Sequence, residues 1–138
     1  MNTQLFAYGT LMCGSILEEI IQCSLTGCPG LLSGYCRRLL RDKAYPGIVP
    51  NKGEKVQGIV YGNVSAAAWT QLDDFEGEMY VRSMVPVELD NGLMVKAFTY
   101  ILKPQYAHLL TDAGWDYSLF LKNKKNLRKN WSAIIREK

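Results

Sequence analysis

The chain has 138 residues, 48% of them hydrophobic, and a formal net charge of +3, enough for one domain around one core and too little for two. Its apolar stretches are broken by Gly, Pro or charge before the roughly 18 residues a membrane-spanning helix requires, and Met1-Asn2-Thr3-Gln4 leads into a strand pattern with no charged and apolar leader. A soluble, cytoplasmic protein with no membrane partner is therefore expected.

Gln4-Leu5-Phe6-Ala7-Tyr8 is short, mostly apolar and stopped by Gly9, the pattern of a buried central strand. From Ser15 to Cys23, Ile16, Leu17, Ile20 and Ile21 recur at helical spacing opposite Glu18 and Glu19, with Gly14 and Ser15 suited to the helix start. Gly27 to Leu40, rich in glycine and then alternating around Tyr35, Arg37 and Leu39, predicts strands joined by tight turns. Tyr45-Pro46-Gly47-Ile48-Val49-Pro50 reads as a turn-rich connection, continued by an exposed loop over Asn51-Lys52-Gly53-Glu54. Val56 to Val64 predicts a strand whose glycines admit a close neighbour. Ser65 is a helix N-cap, Trp69 and Leu72 share one face of the helix it opens, and that helix runs into Phe75-Glu76-Gly77. Tyr80 to Leu89 and Met94 to Leu102 flank Asp90-Asn91-Gly92, an antiparallel hairpin signal. Beyond Pro104 helical spacing returns at Tyr106, Leu109 and Leu110, and again from Trp115 through Tyr117, Leu119, Phe120 and Leu127.

These elements make a single domain over 1–138 of α+β class, a mixed, mainly antiparallel sheet with short flanking helices. Its last stretch, about 120–138, is a basic helical tail in which Lys122, Lys124, Lys125, Arg128, Lys129, Arg136 and Lys138 face a single Glu137. Such a run is either a solvated helix face or an anion-binding surface. Aromatic residues are not interleaved with the Lys and Arg of Lys122 to Lys129, and Trp131 alone is a thin stacking platform, so nucleic acid is not expected as a partner. Cys13, Cys23, Cys28 and Cys36 have no C-x-x-C spacing and stand far from the single histidine, His108. No metal is expected, and the thiols read as small buried hydrophobes. A nucleophilic pair of Cys13 and His108 lacks a third, orienting group.

Two stretches could carry chemistry. Tyr8-Gly9-Thr10-Leu11 follows the first strand and precedes a helix; it is either a plain turn or a loop whose backbone N–H groups hold an anion. Glu76, between Phe75 and Gly77 at the end of a helix with a buried face, is either a base in apolar surroundings or a loop cap paired with Arg82. Asp73, Asp74 and Glu78 crowd the same stretch and read as solvated surface positions rather than metal ligands. Tyr80 and Arg82 share a strand face, where Arg82 would hold a substrate carboxylate or neutralise the acidic stretch.

The ordered set of Tyr8-Gly9-Thr10-Leu11, Tyr45-Pro46-Gly47, Val56-Gln57-Gly58, Leu72-Asp73-Asp74-Phe75-Glu76-Gly77 with Tyr80 and Arg82, and Ala97 to Tyr100 resembles the gamma-glutamylcyclotransferase-like family, in particular its small members similar to gamma-glutamylamine cyclotransferase. The resemblance covers the chain to about Leu102. It implies a compact mixed β-barrel with flanking helices and a cavity where the first loop meets the acidic motif. It assigns substrate binding to Tyr8, Gly9, Thr10 and Leu11 and the general base to Glu76, with Arg82 and Tyr100 as further candidates for the pocket. The implied reaction releases 5-oxoproline and an amine from a small gamma-glutamyl substrate without a cofactor. The alternative is a non-catalytic ligand-binding or regulatory domain of the same fold.

Overall fold

Alternation of inward and outward side chains organises the computed structural model of this protein, which describes residues 3–122. Five strands, β1 (Leu5–Ala7), β2 (Gly27–Leu39), β3 (Pro46–Tyr61), β4 (Tyr80–Leu89) and β5 (Met94–Leu102), close into a barrel in the order β1-β3-β2-β4-β5. Neighbours run antiparallel except at the closing seam, where β5 meets β1 in parallel through Phe98 and Leu5. The mixed, mainly antiparallel sheet and the barrel closure both match expectation.

Phe6, Leu32, Val56, Val60, Val85, Val87 and Ala97, drawn from every strand and from no helix, form the core inside the barrel. Their outward neighbours Leu5, Ala7, Tyr61, Tyr100 and Leu102 join Leu17 of helix α1 (Gly14–Ile21) and Trp69, Leu72 and Phe75 of helix α2 (Ala66–Glu76) in a second core. The two helices therefore cap one outer face of the barrel. Cys13, Ile16 and Trp115 enclose Phe120 of a last short helix, α3 (Tyr117–Lys122). No helix among the described residues is long and apolar enough to cross a membrane.

Three expectations need correction. The glycine-rich stretch after Gly27 is one strand of 13 residues, not several joined by turns. The expected turn over Tyr45 to Pro50 and loop over Asn51 to Glu54 belong to a continuous strand of 16 residues from Pro46. Proline is tolerated because Pro46 is the first strand residue and Pro50 adjoins a register shift between Ser33 and Tyr35. That shift leaves Asn51–Glu54 opposite Gly34 alone, whose φ of 85° suits a bulge. Finally, only Cys13 and Cys36 are buried; Cys23 and Cys28 are exposed. They lie past the end of α1 and at the uncovered start of β2. The basic tail lies, from residue 123 on, outside the described residues.

Candidate active site

At the end of β1 the chain leaves the sheet at Tyr8 and Gly9 and makes a single 3₁₀ turn over Thr10–Met12. Glycine suits this corner because a Cβ at position 9 would stand 3.0 Å from Cγ of Pro46. The turn is held by its carbonyls. The Tyr61 hydroxyl donates to the Leu11 and Met12 carbonyls at 3.1 and 3.0 Å, and the Met12 N–H donates to the Gly9 carbonyl at 2.9 Å. The N–H groups of Thr10 and Leu11, in the first turn, have no acceptor among the described residues.

Glu76 reaches the same place from α2. The helix starts at Ser65, whose hydroxyl accepts from the Ala68 N–H at 3.1 Å, and stops at Gly77, whose φ of 77° favours glycine. Between them, Trp69, Leu72 and Glu76 recur at helical spacing on the buried stripe. The carboxylate is thus carried under the helix instead of out to water, and Glu76 is only 8% exposed.

Tyr8, Gly9, Thr10, Leu11, Glu76 and Tyr100 line one cavity together with Leu5, Phe6, Ala7, Tyr45 and Pro46. Its volume is about 20 Å³, roughly the room of one water molecule. Three buried phenols feel the charge of Glu76. Burial, and after it the charge of Glu76, raises the Tyr8 hydroxyl well above its ordinary pKa. Burial, then Tyr8 and Glu76, does the same at Tyr80, and burial with the hydrogen bond to Asp73 does so at Tyr100. All three are neutral donors near neutral pH. Each tightens a wall: Tyr8 donates to the Tyr100 carbonyl at 2.6 Å, Tyr80 to the Pro46 carbonyl at 2.9 Å, and Tyr100 to Oδ1 of Asp73 at 2.7 Å.

The structure thus brings Tyr8 to Leu11, Glu76 and Tyr100 together, but places Arg82 elsewhere. Its Nε lies 3.3 Å from Oδ1 of Asp73, and its guanidinium sits over the rings of Trp69 and Phe98, 4.7 and 4.9 Å from their centres. Arg82 is not part of the cavity lining. Asp73, expected as a solvated position, is 44% exposed yet bridges Arg82 and Tyr100. Tyr100→Phe is expected to lose one bond to a charged acceptor, about 1.5 kcal/mol given the exposure of Asp73, which urea unfolding will measure. An unchanged midpoint would show that this bridge carries nothing.

Cys13 is buried against Ser15, its Sγ 3.3 Å from the hydroxyl, whereas His108 is exposed on the 3₁₀ segment Pro104–Leu109. Among the described residues, no three His, Cys, Asp or Glu side chains converge. Sequence reasoning missed Tyr61 and Arg37. The Arg37 guanidinium donates to the Tyr8 carbonyl at 2.8 Å, a contact to a main-chain atom of a distant strand that leaves no local sequence signal.

The sequence pattern of the family described as "Gamma-glutamyl cyclotransferase, AIG2-like" matches residues 5–118. Protein AIG2 C of Arabidopsis thaliana is 35% identical over 97 residues, 70% of this chain and 59% of the relative. The chain therefore spans about three-fifths of the length of that curated relative. A protein of Arabidopsis thaliana solved in solution superposes with a TM-score of 0.72 at 28% identity, over 96% of this chain and 85% of the other. A solved gamma-glutamyl cyclotransferase shares the fold at 17% identity, with a TM-score of 0.68 over 99% of this chain and 87% of its own.

Proposed function

The chain belongs to the gamma-glutamyl cyclotransferase, AIG2-like family, and on that premise we propose that it cyclises a gamma-glutamyl compound to 5-oxoproline, with Glu76 as general acid and base. The observation that carries this reading is the placement of a buried carboxylate and a loop with open N–H groups in the walls of one cavity.

The chemistry asks for little else. A gamma-glutamyl group contains its own nucleophile, the α-amine, so the attack on the γ-carbonyl is intramolecular and the protein's task is to hold the folded conformer and move protons. Glu76 accepts a proton from the α-ammonium; the freed nitrogen bonds to the carbon of the γ-carbonyl group, closing a five-membered ring; the bond from that carbonyl carbon to the leaving nitrogen breaks. Over the whole reaction two protons pass from the α-nitrogen to the departing amine, and one carboxylate that accepts and returns them serves both transfers. The N–H groups of Thr10 and Leu11 receive negative charge, either that of the substrate's α-carboxylate or that developing on the γ-oxygen. Tyr8 and Tyr100 are neutral phenols, and Glu76 is the carboxylate among the described residues that line the cavity. The reaction as written requires no metal and no cofactor.

A second reading, a non-catalytic ligand-binding or regulatory domain, draws support from the small volume of the cavity, since a glutamyl chain enters only if the walls part. Turnover separates the two. Incubation with gamma-glutamyl derivatives of an amino acid, a simple amine and a lysine side chain, and with glutathione, is expected to release 5-oxoproline from at least one, in proportion to protein added. No 5-oxoproline from any of them would remove the catalytic reading.

A further inference from the structure

Arg37, on β2, is half-buried and sends one guanidinium nitrogen to two main-chain carbonyls, that of Tyr8 at 2.8 Å and that of Gln57 at 2.9 Å. Its guanidinium carbon lies 5.4 Å from the centre of the Trp115 ring, so the aromatic face steadies the cation while its edge does the bonding. The Tyr8 carbonyl follows the last residue of β1 and the Gln57 carbonyl lies on β3, both just past the paired residues Ala7 and Ile59, where β1 gives way to the loop. Arg37 therefore clamps the chain at the point where the candidate site begins. Burial draws its pKa below the usual arginine value, with Tyr8 and Asp116 acting the other way; an arginine stays charged in either case.

The clamp has a geometric consequence. A trans peptide is planar, with its C=O and N–H pointing in opposite directions, so fixing the Tyr8 carbonyl toward Arg37 fixes the Gly9 N–H away from it. Without the clamp, Gly9 would leave this peptide free to turn, and a turn would break a charge-assisted bond that is among the stronger kinds in a protein. The cation also polarises the peptide and puts positive potential behind the loop.

Resting on the cyclotransferase reading above, we propose that Arg37 is a positioning residue. By holding the Tyr8 carbonyl it presents the amides of the Gly9–Leu11 loop, backed by a cation, to the α-carboxylate of a gamma-glutamyl compound.

The test compares ligands that differ only in that carboxylate. Dissociation constants of wild type, Arg37→Met and Arg37→Lys are measured for 5-oxoproline and for 2-pyrrolidinone, the same ring without a carboxylate. Kinetics are measured on a gamma-glutamyl amide and on the 4-aminobutanoyl amide, which closes to 2-pyrrolidinone. Arg37→Met is expected to weaken 5-oxoproline binding and raise KM for the gamma-glutamyl amide about ten- to a hundredfold, with kcat and 2-pyrrolidinone binding nearly unchanged. Arg37→Lys is expected to recover part of the loss. If Arg37→Met does not fold, the lysine variant carries the same comparison. Equal weakening of both ring ligands would show a merely structural role and overturn the proposal, as would a wild type indifferent to the carboxylate. An Arg37-dependent preference for 5-oxoproline with no turnover of any substrate would remove the cyclotransferase reading and leave the carboxylate assignment standing; turnover without dependence on Arg37 would do the reverse.

Discussion

Glu76→Gln is expected to abolish turnover, with kcat falling about 10²- to 10⁴-fold, the usual worth of a positioned acid or base. The substitution keeps the size of the side chain and removes only the ability to take up a proton. Because Glu76 ends α2 on the same stripe as Trp69 and Leu72, a glutamine there occupies the same place, and the urea midpoint is expected to move by no more than about 1 kcal/mol. Binding of 5-oxoproline should persist, since the loop amides remain. Kinetics of the purified variant with 5-oxoproline as readout, next to a binding titration, check both halves. A kcat within tenfold of wild type would reject Glu76 as the proton carrier.

The second large effect concerns the wall behind the site. A Cβ built at Gly58 would lie 2.4 Å from the Ala7 carbonyl oxygen and 2.7 Å from Cζ of Phe6, far inside the roughly 3.5 Å at which non-bonded heavy atoms rest. The nearest atom is backbone, so no rotamer change relieves it; β1 must move off β3. Gly58→Ala is therefore expected to cost about 3 kcal/mol, the upper end for overpacking, and to lower activity as well, because β1 carries the loop. Gly62→Ala is the control: nothing lies within 4 Å of its Cβ, and relief of chain entropy should leave stability equal or higher by about 0.5 kcal/mol. Urea unfolding of the two variants decides the matter, and equal midpoints would sink the argument.

What could be read from the sequence was whatever depends on neighbours along the chain. The Asn91-Gly92 hairpin is an example, since Gly92 does adopt a φ of 86° between β4 and β5. The buried face of α2 is another, because Trp69 and Leu72 recur at helical spacing, whereas the sequence left Glu76 either a base in apolar surroundings or a loop cap paired with Arg82, and its burial came from the structure. Features that depend on distant partners stayed hidden. Pro46, Gly47, Pro50 and Gly53 read as turns until the pairing of β3 with β2 is known. Arg82 was a candidate for the pocket until Asp73, Trp69 and Phe98 appeared around it. Arg37 and Tyr61 act on main-chain carbonyls, which every residue has. The sequence thus named Glu76 and the Tyr8–Leu11 loop as candidates, which the structure places on one cavity, and left out the side chains that contact the loop's carbonyls.

The parallel seam joins the two ends of the described sheet: β1 has β3 on one flank and meets β5 on the other at Leu5 and Phe98. The ring that carries the Tyr8–Leu11 loop therefore closes only through a contact of high sequence separation, once residues up to Leu102 have been made.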